Sequence, residues 1–283
     1  MSGHASTCGR LYIVATPIGH LEDITLRALR VLREVDRVAA EDTRVTAKLL
    51  NHHGIQAKLM RHDAHNTVES TAGLLSLLQA GEQIALVSDA GTPGLCDPGA
   101  HLSRAAAAAG VEVIPIPGPS AVTTFLSAAG LMEVGFTFHG FVQKKAGPRQ
   151  RTWKALSSGA HVFFLPARDL SRWVGEIGDA VPDAEIVIAR ELTKQHETWY
   201  RGRAEALESA LSVEDAGRGE AVLAIVVPAR ALQVSDSDIA ARLRPLLKEG
   251  MRKKAAARIV AEDCGVPVRR AYTVSLQVEE RDD

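Results

Sequence analysis

The stretch IALVSDAGTPGLCDPG, Ile84 to Gly99, decides the fold class. Four consecutive apolar residues, Ile84 to Val87, give way to glycine, proline and aspartate, the pattern of a buried strand that ends in a shaped loop. In an open α/β sheet, ligands bind beyond the carboxyl ends of strands. That rule puts Ser88, Asp89, Gly91, Thr92, Pro93 and Gly94 where a small molecule would sit. Gly91 and Gly94 permit close backbone approach, while Pro93 and Pro98 limit how far the loop can move. A plain strand-to-helix turn is the other reading of a DAG or TPG taken alone.

The same pattern recurs around this centre. Leu11 to Ala15 reads as a strand and ends in TPIGH, Thr16 to His20; Val35 to Ala40 ends in EDTR, Glu41 to Arg44; Val111 to Ile116 ends in PGPSAV, Pro117 to Val122. Helical signals fill the intervals. Leu26, Leu29, Leu32 and Val35 have helical spacing behind possible caps at Asp23 or Thr25. A helix follows EDTR to Leu50, others span Thr71 to Ala80 and Ala100 to Ala109, and Ser120 is placed to cap one running through Ala129. TPIG, SDAGTPG and PGPSA therefore converge on one cleft. Within EDTR the residues either orient a substrate or, through Asp42 or Thr43, only cap the helix.

The chain has 283 residues, 46% of them hydrophobic, which suffices for about two packed cores. It contains no apolar run of about 18 residues, and Met1 to Arg10 lacks a signal-peptide core, so a soluble cytoplasmic protein is expected. Cys8, Cys96 and Cys264 are odd in number and far apart, arguing against a disulfide framework or a zinc ribbon. The spacing of His52, His53, His62 and His65 matches no zinc pattern, and no metal is expected. Because the net charge is −1, a nucleic-acid partner would need a local basic patch.

Two such patches are present. After the strand-like FTFHGF, Phe136 to Phe141, the stretch VQKKAGPRQRTWK carries Lys144, Lys145, Arg149, Arg151 and Lys154 without an acidic residue. Its Gly147-Pro148 pair predicts a loop, suited to RNA phosphates or merely solvated. Between Arg230 and Arg270 ten Lys or Arg stand against five Asp or Glu, on helices predicted over Asp238 to Lys248 and Met251 to Glu262 and after Pro267. Arg252, Lys253 and Lys254 are the densest part of that patch. Further strands are predicted at His161 to Leu165, Ile186 to Ala189 and Gly219 to Val227, and the second of these runs into the charged segment RELTKQHE. The whole reads as two α/β domains, 1–118 and 119–232, with a basic helical module over 233–283.

The ordered set LYIVATPIG, LEDITLRAL, EDTR, VSDAGTPG, DPG, PIPGPSA and ARELTKQHE resembles the signature of the ribosomal RNA small subunit methyltransferase I family, tetrapyrrole-methylase-like class III S-adenosylmethionine methyltransferases. The resemblance spans about two-thirds of the chain. It implies S-adenosyl-L-methionine held between two α/β domains, and methylation of a cytidine ribose 2′-hydroxyl in 16S ribosomal RNA at the decoding centre of the small subunit. It also implies a homodimer and a helix-turn-helix-like C-terminal domain that docks on the ribosome. Carried onto the matching motifs, the cofactor residues are Pro17, Gly19, Ser88, Asp89, Gly91, Thr92, Pro93, Ser120 and Ala121. Two departures stand out: His20 replaces the family's usual asparagine, and Phe163 to Arg168 read FFLPAR where FYESPH is common. Neither a dinucleotide-binding G-x-G-x-x-G after a strand nor a P-loop is present.

Methyl transfer to a hydroxyl is an in-line displacement whose rate depends on holding the two reactants together, helped by a general base. Glu41, Asp42, His65 and Glu197 are the candidate bases, while Arg44 and Lys194 are candidates to orient phosphate or lower the hydroxyl's pKa. The sequence does not choose among them. A tetrapyrrole methylase and a non-catalytic ribosome-binding protein are the alternatives, the first disfavoured by the basic segments and the second by three intact shaped loops.

Overall fold

The computed structural model describes residues 8–64, 66–131, 135–214, 219–228 and 235–278. The chain divides into two compact units, Met1–Pro228 and Ala229–Asp283. The first unit holds two five-stranded sheets.

Strands β1 (Arg10–Val14), β2 (Arg37–Ala40), β3 (Leu59–Arg61), β4 (Ile84–Val87) and β5 (Glu112–Ile116) form a wholly parallel sheet in the order β3-β2-β4-β1-β5. Both faces are covered, which is why these strands read as continuous apolar runs. Val14, Val38, Ala40, Ala85 and Val87 pack under α1 (Leu26–Glu34) and α2 (Thr43–His52), while Leu11, Ala39, Ile84 and Leu86 pack under α3 (Thr67–Gln79) and α4 (Gly99–Ala108). Of the two possible caps, Thr25 is the one that caps α1, by accepting the Ala28 amide. The buried face of α1 nevertheless starts later than predicted: Ala28, Val31 and Leu32 are buried, whereas Leu26 is 86% exposed. Leu26 is the first residue of the helix and stands two residues before Ala28, about 200° around the axis from it and so away from the stripe that meets the sheet.

In the second sheet, β6 (Phe136–Phe141), β7 (Gly159–Pro166), β8 (Glu185–Arg190), β9 (Thr198–Gly202) and β10 (Glu220–Val227) are ordered β6-β7-β10-β8-β9, with β6 parallel to β7 and the other pairs antiparallel. On one face Val162, Ala189, Val222 and Ala224 pack against Val122, Phe125 and Ala129 of α5 (Ala121–Ala129). On the other, Phe163, Leu165, Ile186, Ile188, Leu223 and Ile225 pack against α6 (Ala146–Lys154), α7 (Leu170–Ala180) and α8 (Ala204–Glu214). The expected loop at 142–154 is thus largely the helix α6. Gly147 and Pro148 fall in its first turn, where proline's missing N–H has no intrahelical partner to lose.

The second unit is a three-helix module of α9 (Asp236–Lys248), α10 (Lys253–Cys264) and α11 (Val268–Gln277). Ser235 opens it with a capping box to Asp238. Its core is small-residue-rich, with Ala256, Ala257, Ala261 and Ala271 around Ile239, Leu243, Val260 and Val274. Among the described residues no helix is long and apolar enough to cross a membrane.

Candidate active site

Register brings the predicted loops together. Val87 is level with both Val14 and Ala40, and Val14 with Ile116, so β1, β2, β4 and β5 end along one edge of the first sheet. Hydrogen bonds then stitch the loops to one another. The Thr16 amide donates to Gly91 O at 2.9 Å and the Gly91 amide to Thr16 O at 3.0 Å; Thr16 Oγ1 donates to Ser88 O at 3.0 Å. Ser88 Oγ closes its own turn on Gly91 O at 3.0 Å, and Thr92 Oγ1 reaches Pro119 O at 3.0 Å. Asp89 Oδ1 accepts the Asp42 amide at 2.9 Å, tying EDTR to the central loop.

These loops and the inner face of the second sheet enclose a cavity of about 320 Å³. Ser88, Asp89, Gly91, Thr92, Ser120 and Ala121 line it. Ser120 stands at the N-cap position of α5 with extended backbone, but its side chain makes no capping bond. Pro17 and Pro93 are buried inside their turns and do not line the cavity. Gly19 also lies outside the lining. A Cβ there would fall 2.5 Å from Thr193 Oγ1 and 2.7 Å from Lys194 Cγ, so this glycine lets the TPIG turn close against the RELTK turn.

EDTR is divided. Glu41 lines the cavity, and burial pushes its carboxyl above the usual range, an effect reinforced by the nearby carboxylates of Asp89, Asp97, Asp63 and Asp42. Asp42 instead accepts the Arg44 amide at 2.8 Å as the cap of α2 and pairs with the Arg44 guanidinium at 2.6 Å, which holds its carboxyl far below the usual range. Both are absent from the lining.

RELTKQHE divides in the same way. Lys194 lines the cavity and donates to Glu191 Oε1 at 2.8 Å. Burial pushes the Glu191 carboxyl up, but the Lys194 ammonium and the Glu220 amide outweigh it and hold the group ionised and low. Glu197 accepts the Thr193 amide at 2.6 Å and the Trp199 indole at 2.8 Å, so both its oxygens are engaged in holding the turn. His65 lies outside the described residues.

Glu191, Cys96 and Asp97 complete much of the polar rim, and Phe141, Phe164, Leu165, Leu192 and Val222 much of the apolar wall. Among the described residues, Cys96, Glu191 and Thr193 are the non-glycine positions at positive φ (69°, 51° and 64°). The first two line the cavity and the third adjoins Lys194. Such backbone costs roughly 1–3 kcal/mol per residue and persists where the surroundings over-determine it, characteristically at functional sites.

Of the predicted phosphate-binding residues, Lys144, Lys145, Arg151, Arg252 and Lys254 are exposed and Lys253 is half-buried. Arg149 is a correction. It is 2% exposed, donates from Nε and Nη2 to Glu176 at 2.7 and 2.6 Å, and from Nη1 to the carbonyls of Gln143 and Lys144 at 3.1 and 2.8 Å. Every donor is turned inward; this arginine anchors the two exposed lysines and is not itself open to RNA.

Two sheets with a shaped cleft at the strand ends of the first have the architecture of the tetrapyrrole-type methylases. A family model described as Tetrapyrrole (Corrin/Porphyrin) Methylases matches residues 10–208. A uroporphyrin-III-C-methyltransferase from Thermus thermophilus superposes with a TM-score of 0.55 at 22% identity, over 77% of this chain and 94% of that one. Diphthine synthase does so at 0.60 and 17%, over 77% and 90%. Ribosomal RNA small subunit methyltransferase I of Synechocystis is 40% identical over 96% of this chain and 99% of its own length. The Escherichia coli O157:H7 protein of the same name is 41% identical over 95% of each chain. The chain belongs to the ribosomal RNA small subunit methyltransferase I family of tetrapyrrole-type methylases, and it is a methyltransferase that uses S-adenosyl-L-methionine.

The cavity fits that cofactor in kind. Leu165, Ala189, Leu192 and Val222 offer an apolar wall for adenine, and Asp89, Asp97 and Glu191 offer carboxylates toward a cation. Among the described residues no group of three His, Cys, Asp or Glu side chains is placed to hold a metal ion.

Proposed function

We propose that this protein methylates the ribose 2′-hydroxyl of a cytidine in 16S ribosomal RNA at the decoding centre, acting as a homodimer in the cytoplasm. The observation that carries the RNA substrate is the near-complete span of the match: relatives named for small-subunit rRNA align over 95–96% of this chain, which takes in the basic helical module, whereas the tetrapyrrole methylase structure aligns over 77%.

The bound S-adenosylmethionine supplies an electrophilic methyl group on a sulfonium. Glu41 takes the hydroxyl proton, because it lines the cavity and its raised pKa makes it a stronger base than an ordinary carboxylate. Lys194, fixed by Glu191, presents a positive charge that favours the developing alkoxide. Thr16, Ser88 and Thr92 lock the loops that hold the two reactants in line. Lys144 and Lys145 meet RNA phosphates without reading sequence, and the C-terminal module supplies docking affinity through Arg252, Lys253 and Lys254.

The test is incubation with methyl-labelled S-adenosylmethionine and small ribosomal subunits from cells lacking this modification, followed by digestion to nucleosides. Label in 2′-O-methylcytidine is expected. Label in a base-methylated nucleoside, or only in a precorrin-type substrate, would contradict the reading.

A further inference from the structure

Between Phe138 and Phe141 strand β6 advances three residues while its partner β7 advances two, from Val162 to Phe164, so β6 carries one extra residue. Gly140 sits in this bulge at φ +73°, a backbone that glycine adopts with little cost. Simple alternation would send Phe141 to the face of His139, which stacks on Phe163 at 4.5 Å on the side covered by α6 and α7. The bulge turns it to the face of Phe138 instead, where both rings meet Phe164 edge-on, at 5.5 and 4.8 Å.

The central loop of the first sheet props this arrangement. Cys96, itself at φ +69°, sets its sulfur 3.1 Å from where a Cβ on Gly140 would be and takes a hydrogen bond from the Phe141 amide. Phe141 is thereby aimed into the cavity yet stays 53% exposed, with Phe164 as its only ring contact among the described residues. A bulge, a left-handed glycine and a strained cysteine that together keep an aromatic face open to solvent are hard to account for by packing, which would have been served by burying the ring.

We propose that Phe141 is the stacking platform for the nucleobase of the substrate RNA, an inference that rests on the RNA-directed function above. The deeper apolar wall of Ala189, Leu192 and Val222 is buried and suits the cofactor's adenine. Phe141 stands at the rim, within about 10 Å of chain from the exposed Lys144. Arg149 pins the Gln143 and Lys144 carbonyls, so the distance from aromatic face to phosphate-binding cation is fixed before RNA arrives.

Phe141→Ala, Phe141→Leu and Phe141→Tyr are compared with wild type for S-adenosylmethionine affinity by calorimetry and for steady-state methylation of small ribosomal subunits, after thermal unfolding has shown that each is folded. Loss of one base–aromatic stack predicts about a 5- to 150-fold lower kcat/KM for RNA in the Ala and Leu variants. The Tyr variant should retain wild-type activity, and all three should keep wild-type cofactor affinity. Leu performing like Tyr would reduce Phe141 to apolar packing, and lost cofactor affinity with unchanged RNA kinetics would make it an adenine platform; either overturns the proposal. A wild type that binds the cofactor but leaves small-subunit RNA unlabelled overturns the functional reading first, in the control itself.

Discussion

Glu41→Gln is expected to lower kcat by about 100- to 10,000-fold, the range that removal of a positioned general base produces, with cofactor affinity little changed. Glutamine keeps the shape and loses the proton acceptor. Glu41 is singled out because it lines the cavity while two of its rivals are engaged elsewhere: Asp42 is consumed by the α2 cap and Arg44, and Glu197 by Thr193 and Trp199. The pH dependence has a definite sign. Burial and four neighbouring carboxylates raise the Glu41 pKa, and the base must be ionised, so wild-type kcat should climb with pH through a value above the ordinary carboxylate range; the variant should lose that limb. The same shift costs stability as pH rises from the unfolded-state pKa through the folded one, because the native protein holds this proton more tightly than the unfolded chain does. At neutral pH the slower variant should therefore melt higher than wild type, a combination that simple misfolding cannot produce.

Arg149→Met is expected to destabilise the protein by about 3–5 kcal/mol, because it strands a carboxylate that was paired inside the fold. Glu176 would lose two hydrogen bonds and keep only the longer one from the Trp153 indole at 3.4 Å. The carbonyls of Gln143 and Lys144 would also lose their donor. Denaturant unfolding of Arg149→Met and of the double variant with Glu176→Gln checks this, since removing both charges should restore much of the loss. Arg149 holds the Glu176 pKa below its unfolded value, so the pair's contribution is present above that unfolded value, about 4.3, and is lost as pH falls through the lower folded one. In Arg149→Met this acid sensitivity should shrink. An arginine serving only RNA phosphates would leave stability unchanged.

The architecture was legible because burial on both faces writes itself into sequence. Ile84 to Val87 and Gly219 to Val227 are apolar without interruption, and each ends in residues that turn. The loops were legible for the same reason, since glycine and proline fall where backbones meet, as at Thr16 and Gly91. Side-chain direction was not. EDTR and RELTKQHE each mix residues that enter the cavity with residues that hold the turn, and composition is identical for both roles. Strand β9 escaped notice because it is an edge strand whose side chains are at most half-buried, leaving no apolar run. Phe141 faces the cleft only because of one extra residue, and period-two reasoning assigns it to the wrong face. Arg149 looked like its neighbours Lys144 and Arg151 until the helix turned it toward Glu176.

The central claim is that the carboxyl ends of the first sheet's strands form the cofactor site, and calorimetric titration of S-adenosylmethionine into wild type and Gly91→Val tests it most directly. Gly91 lies at φ +85°, and a Cβ there would sit 3.4 Å from Ile18 Cγ2. A β-branched residue is strained at that angle and should break the bridge to Thr16. The account predicts saturable binding to wild type and its loss in the variant, with circular dichroism unchanged. Binding of equal strength in both would place the cofactor elsewhere and contradict it.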